Sequence, residues 1–365
     1  MVLSSRIMEC VPNYSEGRDM AIVSQITDAI ESVEGVTLLN VDPGAATNRT
    51  VVTFVGSPEA VCEAAFQGSK RAAEVIDMRH HYGEHPRQGA TDVLPLIPVS
   101  GVTLEECATM ARHLAHRLAT EASIPCYAYE AAALKPERRN LAVCRAGEYE
   151  ALKEKLTTPE KQPDFMPEGV GYSSSIPEAI LRSGCTVVGA RDFLIAVNWN
   201  LNTTSVEIAN AIALDVREKG RIKCEGDNDT GRPILNEYGQ KVRIPGTLKC
   251  TKAIGWFIDE YGIAQVSMNM TNLNVTSLHV AYEEVCRCAR NRGVRVTGTE
   301  IIGLVPLSSL IDAGKHFLSK EHRSTDVPEE TIVKTAIEYM GLDDLKPFNP
   351  REKVIEYLLA DQCRQ

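Results

Sequence analysis

Two hydrophobic rhythms alternate along the first half of the chain. Ile7–Val11, Val36–Asp42 and Thr50–Val55 are short apolar runs rich in β-branched residues and read as strands. Between the first two, Ile22, Ile26 and Ile30, with Val23, Ala29 and Val33, recur at helical spacing until Gly35. Ser57-Pro58 offers an N-cap and a first-turn proline for a helix running to Ile76. Asp92–Val99 is the next strand. Thr103 and Glu106 then form a capping box for a helix with Leu104, Met110 and Leu114 on its apolar face, and Pro125–Tyr129 is a further strand.

The order β-α-β-β-α-β returns in the second half. Phe193–Asn198 is a strand, and Thr204 with Glu207 caps a helix carrying Val206, Ala209, Ile212, Ala213 and Val216. Strands Ala253–Ile258 and Ala264–Met270 meet across Asp259–Gly262, and a helix from about Ser277 to Arg292 leads into Val294–Gly298. The pattern predicts an α+β fold (an α/β sandwich) of two ferredoxin-like βαββαβ subdomains. Each sheet would carry helices on one face, with the open faces packed on each other around a cleft. The expected divisions are 1–187, 188–325 and a helical extension over 326–365, outside the duplicated core. Lys153–Gly184, rich in Pro, Gly and Ser, reads as the crossing between halves, and Gly220–Gly246 as an insertion or mobile loop.

Composition narrows the function. A net charge of −10 over 365 residues argues against a nucleic-acid partner, which needs a basic face. Eleven cysteines without CxxC spacing read as reduced thiols. The N-terminus lacks a signal-peptide core and no stretch approaches ~20 apolar residues, so a cytoplasmic protein without a membrane partner is expected.

The densest chemistry lies in His80–Asp92, which holds three of the eight histidines and empties into a strand. His81-Tyr82-Gly83-Glu84-His85 fits H-x-x-E-H, but Gly83 within it and Pro86 after it oppose the helix that a zinc site requires. His80 and His81 read as helix-exit residues without a role. His85, held between glycines and close to Glu84, Arg87 and Asp92, is the candidate acid–base group; the alternative is a structural histidine bonded to a carboxylate. Arg49, Arg87, Arg138, Arg139, Arg145 and Arg191 could line an anion-binding cleft, because the guanidinium fork grips carboxylates. There is no GxGxxG, Walker or GxSxG motif, so a nucleotide cofactor has no support.

Glu9–Gly17, Thr47–Val51, Gly83–Arg87, Arg145–Leu152 and Val188–Arg191, taken in order, resemble the formiminotransferase family. The resemblance implies two α/β subdomains around a folate-binding tunnel and transfer of a formimino group from N-formimino-L-glutamate to N5 of tetrahydrofolate, the co-substrate, without a metal. It makes His85 the catalytic histidine. By their chemistry Asp42, Glu84 and Asp92 are alternative carboxylates to orient the ring or stabilise the cationic amidine, with Asp42 and Glu84 taken into the catalytic set. Arg49, Arg87 and Arg191 are then candidates for substrate carboxylates. The family's folate segment maps to Met166–Gly184, giving Met166, Pro167, Gly169, Gly171, Ser183 and Gly184, although this chain is longer there. A homodimer and a one-activity enzyme are further expectations. The alternatives are formyl exchange between folate and glutamate, and a folate-binding module without catalysis.

Overall fold

The computed structural model describes residues 6–170, 175–227 and 231–362. These form two compact units, Met1–Asp192 and Phe193–Gln365.

The first unit contains β1 (Ile7–Cys10), β2 (Asn13–Tyr14), α1 (Met20–Glu31), β3 (Val36–Gly44), β4 (Arg49–Gly56), α2 (Pro58–Val75), β5 (Thr91–Ser100), α3 (Leu104–Ala122) and β6 (Cys126–Glu130). Three short helices follow, α4 (Leu141–Cys144), α5 (Leu152–Thr157) and α6 (Glu178–Ser183), and then β7 (Thr186–Ala190). In the sheet, β3 pairs β4, β4 pairs β1 and β2, and these pair β5, all antiparallel. That is the ferredoxin-like order expected. The caps hold as read: Ser57 accepts from the Ala60 amide, and Thr103 and Glu106 close a full capping box.

The sheet does not stop at four strands. β7 pairs β5, and β6 pairs β7, both in parallel. The Val188–Arg191 motif therefore begins inside an interior strand. A boundary after 187 would cut β7, and the units divide after Asp192 instead. Helices α1 to α3 bury one face through Ile26, Ile30, Val61, Phe66, Ala111 and Leu118 against Met8, Val52, Phe54, Leu94, Leu96 and Val188. The segment read as a crossing and the residues just before it cover part of the other face: Cys144, Leu152, Leu156 and Ile180 pack on Val93, Tyr127, Tyr129 and Val187. Helices thus lie on both faces of this sheet.

The second unit repeats the motif with β8 (Ile195–Leu201), α7 (Val206–Val216), β9 (Arg221–Ile222), β10 (Arg243–Ile244), β11 (Thr251–Ile258), β12 (Ile263–Met270), α8 (Leu278–Asn291) and β13 (Val296–Ile302). Its sheet order, β11-β12-β8-β13, is antiparallel throughout. Ser205, not Thr204, caps α7 by accepting from the Ile208 amide. The Gly220–Gly246 insertion carries a two-stranded ribbon of β9 and β10. After β13 come α9 (Leu307–Lys320), α10 (Glu329–Met340), α11 (Pro350–Lys353) and α12 (Ile355–Gln362). The expected 326–365 extension is not external: Ile332 is buried, and Val333, Ala336 and Met340 share a core with Trp199, Val266, Val285 and Phe317. Among the described residues no helix is long and apolar enough to cross a membrane.

Candidate active site

Four of the quoted motifs meet at one end of the first unit's sheet. The segment from His81 to Pro86 is irregular, so the H-x-x-E-H spacing has no helix beneath it. It is pinned to the turn before β4. Asn48, held at φ 46°, donates from Nδ2 to the Tyr82 carbonyl at 3.0 Å, while its Oδ1 accepts from the Gly17 amide at 3.1 Å. The Glu84 amide donates to the Ala46 carbonyl at 3.2 Å. Gly83 permits this approach, since a Cβ there would come within 2.1 Å of the Thr47 carbonyl oxygen.

His81, read as a helix-exit residue without a role, ties the loop down. It is buried, and its Nε2 lies 2.7 Å from the Asn48 carbonyl, so Nε2–H donates and the ring ties loop to turn. Burial lowers its pKa and keeps the imidazole neutral. His80 is exposed, as read.

His85 is half-buried, with Nδ1 2.7 Å from its neighbour's carbonyl, that of Pro86. A carbonyl only accepts, so Nδ1 carries the proton and Nε2 holds the lone pair. Burial and the positive charges of Arg49 and Arg145 bring its pKa down to about 3, against the pull of Asp92. The ring is neutral across the physiological range.

Asp92, fully buried, sits behind this histidine in a clamp of donors. Arg49 reaches its Oδ2 at 2.5 Å, Arg145 reaches the same oxygen at 2.7 Å, and the Gln88 amide donates to Oδ1 at 2.9 Å. Burial would raise this carboxyl, but the two guanidinium groups outweigh it and hold the pKa at about 2. Arg49 is further placed by Asn13, whose Oδ1 accepts from its Nε at 3.0 Å. Arg49 is thus committed first to Asp92.

The other expected site residues fall in different places. Asp42 pairs with Val51 across β3 and β4 and so shares a sheet face with Arg49, two residues along β4. Glu84 is exposed and lines a cavity of about 480 Å³ beside the loop, together with Arg18, Tyr82, Arg87, Glu148 and Glu150. Arg87 is engaged within the protein: Glu150 accepts from its two Nη atoms at 2.7 and 2.8 Å, and Glu148 accepts at 3.2 Å.

Ser183 and Gly184 are buried against the far end of the loop. The Ser183 carbonyl accepts from the Ala90 amide at 2.7 Å, and Gly184 bridges Gly89. Their place is in the backbone frame. Pro167 is buried, Met166 packs against the cluster that includes Ile180 and Leu156, Gly169 is exposed, and Gly171 lies outside the described residues. Arg191 donates to the Asp192 carbonyl at 3.0 Å at the end of β7.

Sequence reasoning gave no role to Asn48, Gln88 or Lys155. Lys155 is 4% exposed, and its Nζ donates to Gln88 Oε1 at 2.6 Å and to the Glu148 carbonyl at 3.0 Å. The available signal was position: Asn48 and Gln88 adjoin charged residues that the motifs already contained.

A model of the formiminotransferase domain's N-terminal subdomain matches residues 7–191, and a model of the formiminotransferase domain matches 196–360. Formimidoyltransferase-cyclodeaminase of Rattus norvegicus is 45% identical over 98% of the chain, which spans 60% of that relative's length. Glutamate formimidoyltransferase of Streptococcus pyogenes serotype M1 is 40% identical over 87% of the chain and 95% of its own length. The enzyme of the same name from Thermoplasma acidophilum is 40% identical over 86% and 92%. With both halves matched by the family's models and relatives of 40% identity spanned over nearly their whole length, the chain belongs to the formiminotransferase family.

Proposed function

We propose that the chain transfers the formimino group from N-formimino-L-glutamate to N5 of tetrahydrofolate, giving 5-formiminotetrahydrofolate and L-glutamate, with His85 as the proton carrier. The observation that carries the reading is the tautomer of His85. With Nδ1–H spent on the Pro86 carbonyl, a neutral Nε2 remains as the basic atom.

N5 is a secondary amine, so it must shed a proton as its lone pair bonds to the formimino carbon. His85 Nε2 takes that proton. In the second half of the step the carbon–nitrogen bond to glutamate breaks, and the imidazolium returns the proton to the departing nitrogen. Asp92 favours the transient imidazolium through its charge, which already opposes the depression of the ring's pKa. Asp42, on the sheet face that Arg49 occupies, and Glu84, on the loop itself, are the carboxylates we assign to the cationic amidine. A positioned acid–base group gives ~10²–10⁴-fold, and holding the two substrates together must supply the rest. Met166, Pro167, Gly169 and Gly171 are proposed for the folate, Ser183 and Gly184 as its supporting frame, and Arg49 and Arg191 for substrate carboxylates.

The test is direct. The chain is incubated with tetrahydrofolate and either formiminoglutamate or formylglutamate, and the folate product is followed spectroscopically. Formimino transfer without ammonia release is expected. Transfer from the formyl donor alone would replace this reading with formyl exchange.

A further inference from the structure

Around Asp92 the buried charges do not balance. Arg49 and Arg145 both bond this one carboxylate, Lys155 is buried within reach of its charge but not bonded to it, and Glu148 and Glu150 are turned to Arg87. Lys155 is the unusual member. Its ammonium is buried, yet the acceptors around it are neutral, the Gln88 side chain and the Glu148 carbonyl. An enclosed cation without an anionic partner is costly, and burial accordingly lowers its pKa.

Two donors in the same group also have no partner. Lys155 can only donate, so the Gln88 atom facing it is the amide oxygen and the NH2 must point the other way. That Nε2 is buried without an acceptor, on a residue 1% exposed. Arg145 spends Nη2 on Asp92 while its Nε stays buried and unpartnered. Excess positive charge together with fixed, unused donors is the chemistry of an anion seat.

We propose that Arg145, Gln88 and Lys155 form a carboxylate seat beside His85, taking a carboxylate of the glutamyl substrate. This rests on the proposed transfer reaction for the identity of the anion. An occupant would supply the missing negative charge and accept from the unused donors. It would also offset the field that Arg49 and Arg145 impose on His85, so filling the seat and readying the base would be one event.

Titration calorimetry on the whole chain, without folate, tests the seat apart from turnover. Wild type should bind glutarate and L-glutamate at least about 10-fold more tightly than neutral glutaramide. Gln88→Glu keeps an acceptor for Lys155 but removes the amide donor and adds a negative charge; Lys155→Met removes the cation. Each should weaken glutarate binding by about 10- to 100-fold, with glutaramide binding unchanged. Equal affinity of wild type for glutarate and glutaramide would overturn the seat even if neither variant folds. So would variants that fold and bind glutarate as wild type does. Failure of wild type to transfer formimino groups while glutarate still binds selectively would count against the reaction and not against the seat.

Discussion

Arg87 has the fork geometry that suits a substrate carboxylate, yet both its Nη atoms already meet Glu150 and one also meets Glu148. Its position explains the commitment. The arginine follows His85-Pro86, so the ion pairs fasten the His85 loop to the turn at 148–150. Partly exposed pairs are worth about 1 kcal/mol or less, and fixing a loop needs little more. Arg87→Ala and Glu150→Gln should therefore behave alike, lowering kcat while KM for both substrates stays within about 2-fold, because positioning and not binding is lost. A rise in KM for Arg87→Ala that Glu150→Gln does not share would return Arg87 to the substrate. His81 follows the same logic. Removing its ring strips the Asn48 carbonyl of a buried donor, at a cost of about 1–3 kcal/mol. His81→Ala should lower both melting temperature and turnover, whereas exposed His80→Ala should change neither.

At the scale of elements, the βαββαβ order was legible because strands and helices differ in period. Ile22, Ile26 and Ile30 recur at helical spacing, and Thr50–Val55 is too β-branched and too short for a helix. The extension of the first sheet was not legible. β7 is buried on both faces and pairs in parallel with strands far away in sequence, so it shows neither alternation nor a hairpin turn. The 141–183 segment hid its role in another way. Its buried residues, Cys144, Leu152, Leu156 and Ile180, are scattered among turns and short helices without one period. For the site, the motif containing His85 was readable, but the Asp92 clamp depends on Arg145 arriving from 53 residues away. Gly83 supplies the element-scale prediction. A methyl group there would collide with the Thr47 carbonyl, so Gly83→Ala must displace either the loop or the turn. A stability loss of about 1–3 kcal/mol is expected. Turnover should fall more than the folded fraction does, as read from melting curves and kcat on the same samples.

For the whole molecule, the buried groups set the response to acid. Asp92 titrates at about 2 in the folded chain and at ~3.9 when unfolded, so its stabilisation is complete above pH ~4 and is lost as pH falls through about 2. His85 works in the same direction from a higher starting point. Between pH ~6.5 and about 3 the unfolded chain binds a proton on this ring and the folded chain does not, so stability falls as pH drops across that window. Wild-type melting temperature should decline below pH ~6.5, and His85→Asn should flatten the upper part of the decline while leaving the Asp92 limb. Parallel curves would mean that the ring is not held neutral by its surroundings. The most direct test of the proposed mechanism is turnover of formiminoglutamate and tetrahydrofolate by His85→Asn, with melting temperature and tetrahydrofolate affinity measured on the same protein. A loss of ~10²–10⁴-fold in kcat is expected, with folate affinity and folding intact. Near-normal turnover, or a defect that only tracks unfolded protein, would contradict His85 as the proton carrier.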